Sequence, residues 1–160
     1  MELHKIIVIG PPGSGKTYLS NILGDCFHLP VFHLDDIYYQ DDKPIKAKAF
    51  DAVLSDILQK DKWIIDGHYF DSLEKRLSKC EMIYFLDLSK EEIYQSLLER
   101  KDSEKYKARG IIDFEHWYNH YLVNTREEIC KELENSNKKV YIFKTRKEVN
   151  EYIHKINNKF

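Results

Sequence analysis

A glycine-rich loop ending in a lysine and a threonine carries the clearest chemistry near the start of the chain. Residues 10–17 match the complete pattern G-x-x-x-x-G-K-[ST], after an apolar run and before a helical one. Glycines let successive backbone N–H groups turn toward one anion. The Lys16 ammonium group reaches β- and γ-phosphates, and the Thr17 hydroxyl ligates Mg²⁺. The pattern therefore predicts a site for ATP and Mg²⁺ formed by Gly10, Pro11, Pro12, Gly13, Ser14, Gly15, Lys16, Thr17 and the adjoining Tyr18.

Three carboxylates follow apolar runs and are candidates to complete this site. Asp66 is predicted to hold a water molecule of the Mg²⁺ shell, the alternative being that it caps a helix or starts a turn. Asp35 is predicted to accept a hydroxyl proton from an acceptor or to bind one of its polar groups. The alternative is that Asp35 forms an Asx turn. Asp87 or Ser89 is interpreted as the N-cap of the following helix, because Glu92 stands at capping-box spacing from Ser89.

Arginine is the side chain best suited to the charge of a transferring phosphoryl group, because it binds phosphate in a bidentate manner. Arg100 and Arg109 bracket a polar segment, so we predict that they close over bound ATP as part of a lid. The alternative is ordinary surface arginines paired along helices. The five arginines of the chain are Arg76, Arg100, Arg109, Arg126 and Arg146.

The composition is that of one soluble domain. The chain has 160 residues, of which 42% are hydrophobic, and its formal net charge of -2 gives no basic field for nucleic acid. No apolar run is long enough to span a bilayer, and three widely spaced cysteines predict reduced thiols. His116 and His120 have metal-ligand spacing, but without a third ligand we interpret them as packed or exposed. We expect a cytoplasmic protein, either a monomer or a homodimer.

Strand and helix patterns alternate along the chain. Helices are predicted at about 15–26, from Pro44 onward, and at about 70–78, 89–100, 113–135 and 147–157. Such alternation predicts an α/β fold of three layers, α/β/α, around a parallel sheet that binds ligands beyond the carboxyl ends of its strands. The predicted strands are about 4–9, 31–34, 63–65, 82–86 and 140–143.

Three sequence segments make the chain resemble the adenylate-kinase-like group of P-loop kinases, and within it the topology modulation proteins. The residues that carry the resemblance are the glycine-rich loop, Phe32–Tyr39 and Trp63–Tyr69. The resemblance implies one P-loop NTPase domain over 1–160, with its five-stranded sheet in the order 2-3-1-4-5. It also implies an acceptor-binding region at about 35–61, a lid at about 100–113, and Arg146 near the adenine ring.

The sequence departs from adenylate kinases after the third strand. Those enzymes carry an arginine there that binds the acceptor phosphate, whereas residues 66–70 of this chain contain none. We therefore predict an ATP-dependent phosphotransferase whose acceptor is a small nucleotide or a hydroxylated metabolite. In it Lys16, Asp35, Arg100 and Arg109 would be catalytic, and Thr17 and Asp66 would hold the metal ion. The alternative is a nucleotide-gated regulatory protein that affects DNA topology or expression.

Overall fold

A five-stranded parallel sheet forms the centre of the computed structural model, which describes residues 3–101, 103–104 and 114–159 without the side chains of Arg100, Lys101 and Phe114. The strand order is β2-β5-β1-β6-β7, and every adjacent pair is parallel. Two short strands, β3 and β4, form a separate hairpin and are not part of this sheet. When they are left out of the numbering, the strand order is compatible with the predicted order 2-3-1-4-5. The sheet strands are β1 (Lys5–Ile9), β2 (Val31–His33), β5 (Trp63–Asp66), β6 (Met82–Leu86) and β7 (Lys139–Phe143).

Helices connect these strands, as parallel pairing requires. Their apolar faces pack on the sheet, and the central strands β1, β5 and β6 are buried along their length apart from Lys5. No helix within the described ranges is both long and apolar enough to cross a bilayer. The helices are α1 (Lys16–Phe27), α2 (Leu34–Tyr38), α3 (Ala47–Leu58), α4 (Leu73–Leu77), α5 (Lys90–Lys101), α6 (Phe114–His120), α7 (Arg126–Asn135) and α8 (Arg146–Asn157).

The segment after β2 differs from the prediction in two ways. The strand ends at His33, and Leu34 already begins α2, so Asp35 lies in a helical first turn instead of at a strand end. Pro44 does not open a helix, because it belongs to a hairpin formed by β3 (Tyr39–Gln40) and β4 (Lys43–Pro44). The two turn residues between these strands have φ values of 50° and 58°, the conformation of a type I′ turn.

The long helix predicted at about 113–135 is present from Phe114, but it is not uniformly α-helical. A π-helical turn, Tyr121–Thr125, separates α6 from α7, and the Arg126 N–H bonds back to the carbonyl of Tyr121. Such a turn contains one residue more than an α-turn and changes which side chains face the sheet beyond it. Hydrophobic periodicity does not reveal this insertion, because the apolar stripe continues across it.

Candidate phosphate and acceptor site

The phosphate loop, Gly10–Thr17, connects the end of β1 to the start of α1. Gly13 and Gly15 have φ values of 77° and 94°, a region that side-chain-bearing residues rarely adopt. A Cβ on Gly10 would lie 2.7 Å from the carbonyl oxygen of Leu86, so the neighbouring strand leaves room for glycine alone. The first turn of α1 holds no acidic residue and no side-chain cap. Its positive end therefore remains available to an anion.

Two side chains in the loop fit a bound phosphate. Ser14 is 1% exposed, and its hydroxyl oxygen has no hydrogen-bond partner among the described residues. Lys16 Nζ donates a 3.0 Å hydrogen bond to the carbonyl of Pro11, which holds the ammonium group over the loop. Thr17 and Tyr18 are exposed at the start of α1. A buried, unsatisfied hydroxyl and an ammonium group in a glycine-rich loop form the polar environment that phosphate oxygens need.

Arg146 lies against the same loop from the first position of α8. Its Nη2 donates to the carbonyl of Gly13 at 2.6 Å and to the Ser96 hydroxyl at 2.8 Å, and its Nε donates to the carbonyl of Glu92 at 2.9 Å. The guanidinium therefore joins the phosphate loop to α5. The structure places this predicted nucleotide-binding residue at the loop, and the sequence alone did not indicate that it fixes the backbone of the loop.

Asp66 lies at the carboxyl end of β5, next to the strand that feeds the phosphate loop. It is 3% exposed, and its Oδ2 lies 2.6 Å from His33 Nδ1. A carboxylate only accepts hydrogen bonds, so Nδ1 carries the proton, and this bond raises the pKa of His33. Sequence reasoning missed His33, because the two residues are 33 positions apart and meet only through strand pairing.

A loop after β5 carries His68 and Tyr69, whose side chains contact different parts of the molecule. The Tyr69 hydroxyl donates to Asp35 Oδ1 at 2.7 Å, and its ring centroid lies 5.1 Å from that of Phe50 and 5.4 Å from that of Tyr38. His68 instead contacts Trp117 and Tyr121 at 5.2 and 5.4 Å between centroids. Tyr69 has a φ of 24°, a strained value for a residue with a side chain.

Arg76 fixes this loop from below. It is fully buried, and its guanidinium donates to the carbonyls of Gly67, His68 and Tyr69 at 2.9–3.0 Å. Burial lowers the pKa of Arg76 to about 10, so the group stays charged at neutral pH. Desolvation, and then the charges of Lys16 and Arg76, lower the pKa of His68 to about 3 and keep its ring neutral. Arg76 therefore stabilises this loop and is not accessible to a phosphate group.

Arg126 and Asp87 form an ion pair at the end of β6. Arg126 Nε and Nη2 donate to the two carboxylate oxygens at 2.7 and 2.6 Å, and Lys144 donates to Oδ2. Burial alone would raise the pKa of Asp87, but the bonds from Arg126 and Lys144 outweigh it and lower the pKa. Asp87 thus anchors α7 to the sheet, while the Ser89 hydroxyl accepts from the Glu92 N–H and caps α5.

The remaining predicted residues are only partly described. Arg100 belongs to α5 by its backbone, but its side chain lies outside the described part of the chain, as do Arg109 and nearly all of the proposed lid. His116 and His120 are both exposed. Among the described residues, no group of three acidic, histidine or cysteine side chains could hold a metal ion by itself. Mg²⁺ sites with phosphates need only one or two protein ligands, so Thr17 and Asp66 fit that requirement.

Sequence comparison finds a relative that matches part of the chain. No family model matches the chain. Over 75 residues, 47% of this chain, it is 32% identical to an adenylate kinase of Buchnera aphidicola subsp. Cinara cedri (strain Cc). The match spans 34% of that protein, about a third of its length. The finer resemblance to topology modulation proteins is not confirmed and remains a prediction.

Structural comparison covers nearly the whole chain. A shikimate kinase from Aquifex aeolicus superposes with a TM-score of 0.60 at 20% identity, covering 96% of this chain and 94% of that one. A shikimate kinase from Bacteroides thetaiotaomicron gives 0.57 at 15% identity, covering 98% and 97%. A gluconokinase from Sinorhizobium meliloti 1021 gives 0.57 at 14%, covering 97% and 90%. At these identities the likeness shows the fold, which is that of adenylate-kinase-like and shikimate-kinase-like P-loop kinases.

Proposed function

We propose that this protein is an ATP-dependent phosphotransferase that transfers the γ-phosphoryl group of ATP to a small acceptor, a nucleotide or a hydroxylated metabolite. The observation that carries the proposal is the phosphate loop, with its buried Ser14 hydroxyl and the Lys16 ammonium group at the end of β1. The shared fold and the partial adenylate kinase relative support the same reaction class. Nothing in the comparisons supports the regulatory alternative.

The donor side of the reaction uses electrostatics and positioning. The loop amides and Lys16 would hold the β- and γ-phosphates, and Arg146 would fix the loop and border the nucleotide together with Tyr18. Thr17 and Asp66 would hold Mg²⁺, which when bound would neutralise charge on the phosphates. His33 occupies one oxygen of Asp66 and orients that carboxylate. In the same proposal Arg100 and Arg109 close over the transferring group.

The acceptor side contains Asp35, which would accept the proton of the attacking group. Its carboxylate already accepts a hydroxyl hydrogen bond from Tyr69, so its position suits that role. The acceptor-binding region at about 35–61 would then comprise α2, the hairpin and α3. Catalysis would consist of alignment and charge stabilisation, with no covalent enzyme intermediate.

Labelled ATP tests this proposal directly. The purified protein is incubated with γ-labelled ATP, Mg²⁺ and a panel of nucleotides, nucleosides, sugars and hydroxy acids, and the label is followed to the acceptor. We expect label transfer to at least one member of the panel, and none with Lys16→Ala. Slow release of inorganic phosphate with every acceptor unlabelled would contradict the proposed reaction.

A further inference from the structure

Among the residues that the structure describes, the acceptor side of the site has no available arginine. Arg76 is the only arginine between residues 1 and 99, and it is fully buried with Nη1 and Nη2 donating to three backbone carbonyls. Arginine is the side chain that binds phosphate and carboxylate groups in a bidentate manner. An acceptor with an anionic group would therefore lack such a partner in the described part of this region.

The carboxylate of Asp35 lies in the proposed acceptor-binding region. Asp35 is exposed, and it accepts a 2.7 Å hydrogen bond from the Tyr69 hydroxyl, an uncharged donor. In the structure this carboxylate therefore accepts a hydrogen bond from a neutral hydroxyl group. An anion brought to the same position would meet like charge, which disfavours it by electrostatic repulsion.

Aromatic side chains pack around the Tyr69 ring, whose hydroxyl donates to this carboxylate. Tyr69 packs against Tyr38 and Phe50, and Tyr38 is in edge contact with Tyr39 at 4.9 Å between centroids. On the other side of the loop, His68 contacts Trp117, which is half-buried. The strained φ of Tyr69 and the three bonds from Arg76 hold the loop that separates the two groups. Tyr38, Tyr39, Tyr69 and Trp117 are each half-buried, so part of each ring is left to contact a flat ring of a ligand.

We infer that the acceptor is an uncharged hydroxyl compound that carries a flat ring, and that Asp35 and the aromatic side chains beside it reject phosphorylated and carboxylated compounds. This inference rests on the proposed phosphotransferase function and specifies its substrate class. In the transfer, the acceptor hydroxyl oxygen forms a bond to the γ-phosphorus while the bond to the β-γ bridging oxygen breaks. The hydroxyl proton passes to Asp35, and ADP leaves with the bridging oxygen.

Matched acceptor pairs test the inference. Four ribonucleosides serve as uncharged ring-bearing hydroxyl compounds, their 5′-monophosphates as anionic counterparts, gluconate as a carboxylated control, and glycerol as a hydroxyl compound without a ring. We expect at least one nucleoside to exceed its monophosphate by about 100-fold or more in kcat/KM. Higher kcat/KM for a monophosphate or for gluconate overturns the inference while leaving the proposed phosphotransferase intact. Transfer to glycerol as efficient as to every nucleoside overturns the ring requirement.

Two variants distinguish the effect of the Asp35 charge on acceptor preference from a general loss of activity. Asp35→Asn removes the repelling charge, so we expect the preference for nucleoside over monophosphate to narrow by about tenfold or more, together with a fall in kcat. Asp71→Asn makes the same charge change at an exposed position outside the acceptor region and should leave the preference within about twofold. An unchanged preference in Asp35→Asn overturns the assigned role of this carboxylate.

A binding measurement without ATP gives an independent readout. The chain has two tryptophans, of which Trp63 is fully buried and Trp117 is half-buried beside His68. We expect nucleosides to change the fluorescence of Trp117, and the change to vanish in Trp117→Phe. Nucleoside binding without any phosphoryl transfer would contradict the proposed function while supporting the substrate class. Fluorescence changes with the monophosphates alone would contradict the substrate class.

Discussion

At the scale of single residues, Lys16 separates nucleotide binding from folding. Its ammonium group lies on the Pro11 carbonyl at the surface of the phosphate loop, so its loss leaves the core intact. Lys16→Ala should weaken ATP binding by roughly 10- to 100-fold, because one charge-assisted contact contributes about 1.5–3 kcal/mol. Calorimetric titration with ATP and Mg²⁺ measures this, with Lys79→Ala at an exposed position as the control. ATP binding that equals that of the native chain would overturn the assignment of the loop.

Arg76, in contrast to Lys16, is expected to affect the stability of the fold more than nucleotide binding. Removing its guanidinium leaves three carbonyls of the His68 loop without their buried donor. Arg76→Ala should lower the free energy of unfolding by roughly 3–5 kcal/mol, measured by urea denaturation. Arg76→Lys should recover part of this loss, since an ammonium group supplies fewer correctly placed donors. A loss below about 1 kcal/mol in Arg76→Ala would show that the loop does not depend on this contact.

Asp87 makes stability depend on pH. Its pKa in the folded protein is below the ordinary 3.8, so the unfolded chain takes up the proton first as the pH falls. The contribution of the ion pair is therefore complete above pH 3.8 and is lost as the pH falls through the lowered pKa. Asp87→Asn should flatten the decline in unfolding free energy below about pH 4, whereas exposed Asp61→Asn should not. Parallel declines for both variants and the native chain would contradict this.

At the scale of elements, the π-turn sets the direction of Arg126. Deleting Val123, which is 77% exposed, should restore an α-helix and rotate Arg126 by about 100° away from Asp87. We expect a loss of about 3 kcal/mol in unfolding free energy, because a buried carboxylate loses its bidentate partner. Val123→Ala keeps the residue count and should change stability by less than about 0.5 kcal/mol. If Asp87→Asn costs as much in the deletion variant as in the native chain, the π-turn does not set this contact.

Elements with a simple hydrophobic period are predictable from the sequence, and those set by local backbone chemistry are not. The apolar runs of β1 and β6 and the spacing of α8 gave their positions within a residue or two. The hairpin after α2 was not predicted, because both residues of its turn are aspartates with positive φ. Two-residue turns of this kind usually contain a glycine, and this one has none. Pro44 suits both a helix start and a strand edge, so it could not decide between them.

At the scale of the whole molecule, nucleotide binding should stabilise the fold. A ligand at 100 times its Kd adds about 2.7 kcal/mol to the free energy of unfolding. For a chain of this size we expect ATP with Mg²⁺ to raise Tm by roughly 5–10 °C in a thermal scan. Lys16→Ala should show a much smaller shift at the same concentration. Equal shifts in both proteins would indicate binding somewhere other than the phosphate loop.

The architecture of the sheet was within reach of sequence reasoning, but much of the site was not. Parallel strands bring their carboxyl ends to one edge, so the placement of Asp66 and Asp87 beside the phosphate loop follows from strand order. The partners of these carboxylates do not follow, because His33, Arg126 and Lys144 reach them across 33, 39 and 57 positions of sequence. Spacing rules describe only neighbours along one helix or strand.

Arg146 and Gly13 stand 133 positions apart, yet one hydrogen bond joins them. The phosphate loop therefore depends on a residue far outside its own sequence motif. If residues 4–27 were transferred into another protein, the complete motif would be present there. Arg146, which donates a hydrogen bond to the carbonyl of Gly13, would be absent. The substitution Arg146→Ala should have the same effect and weaken triphosphate binding, although the sequence of the phosphate loop is unchanged.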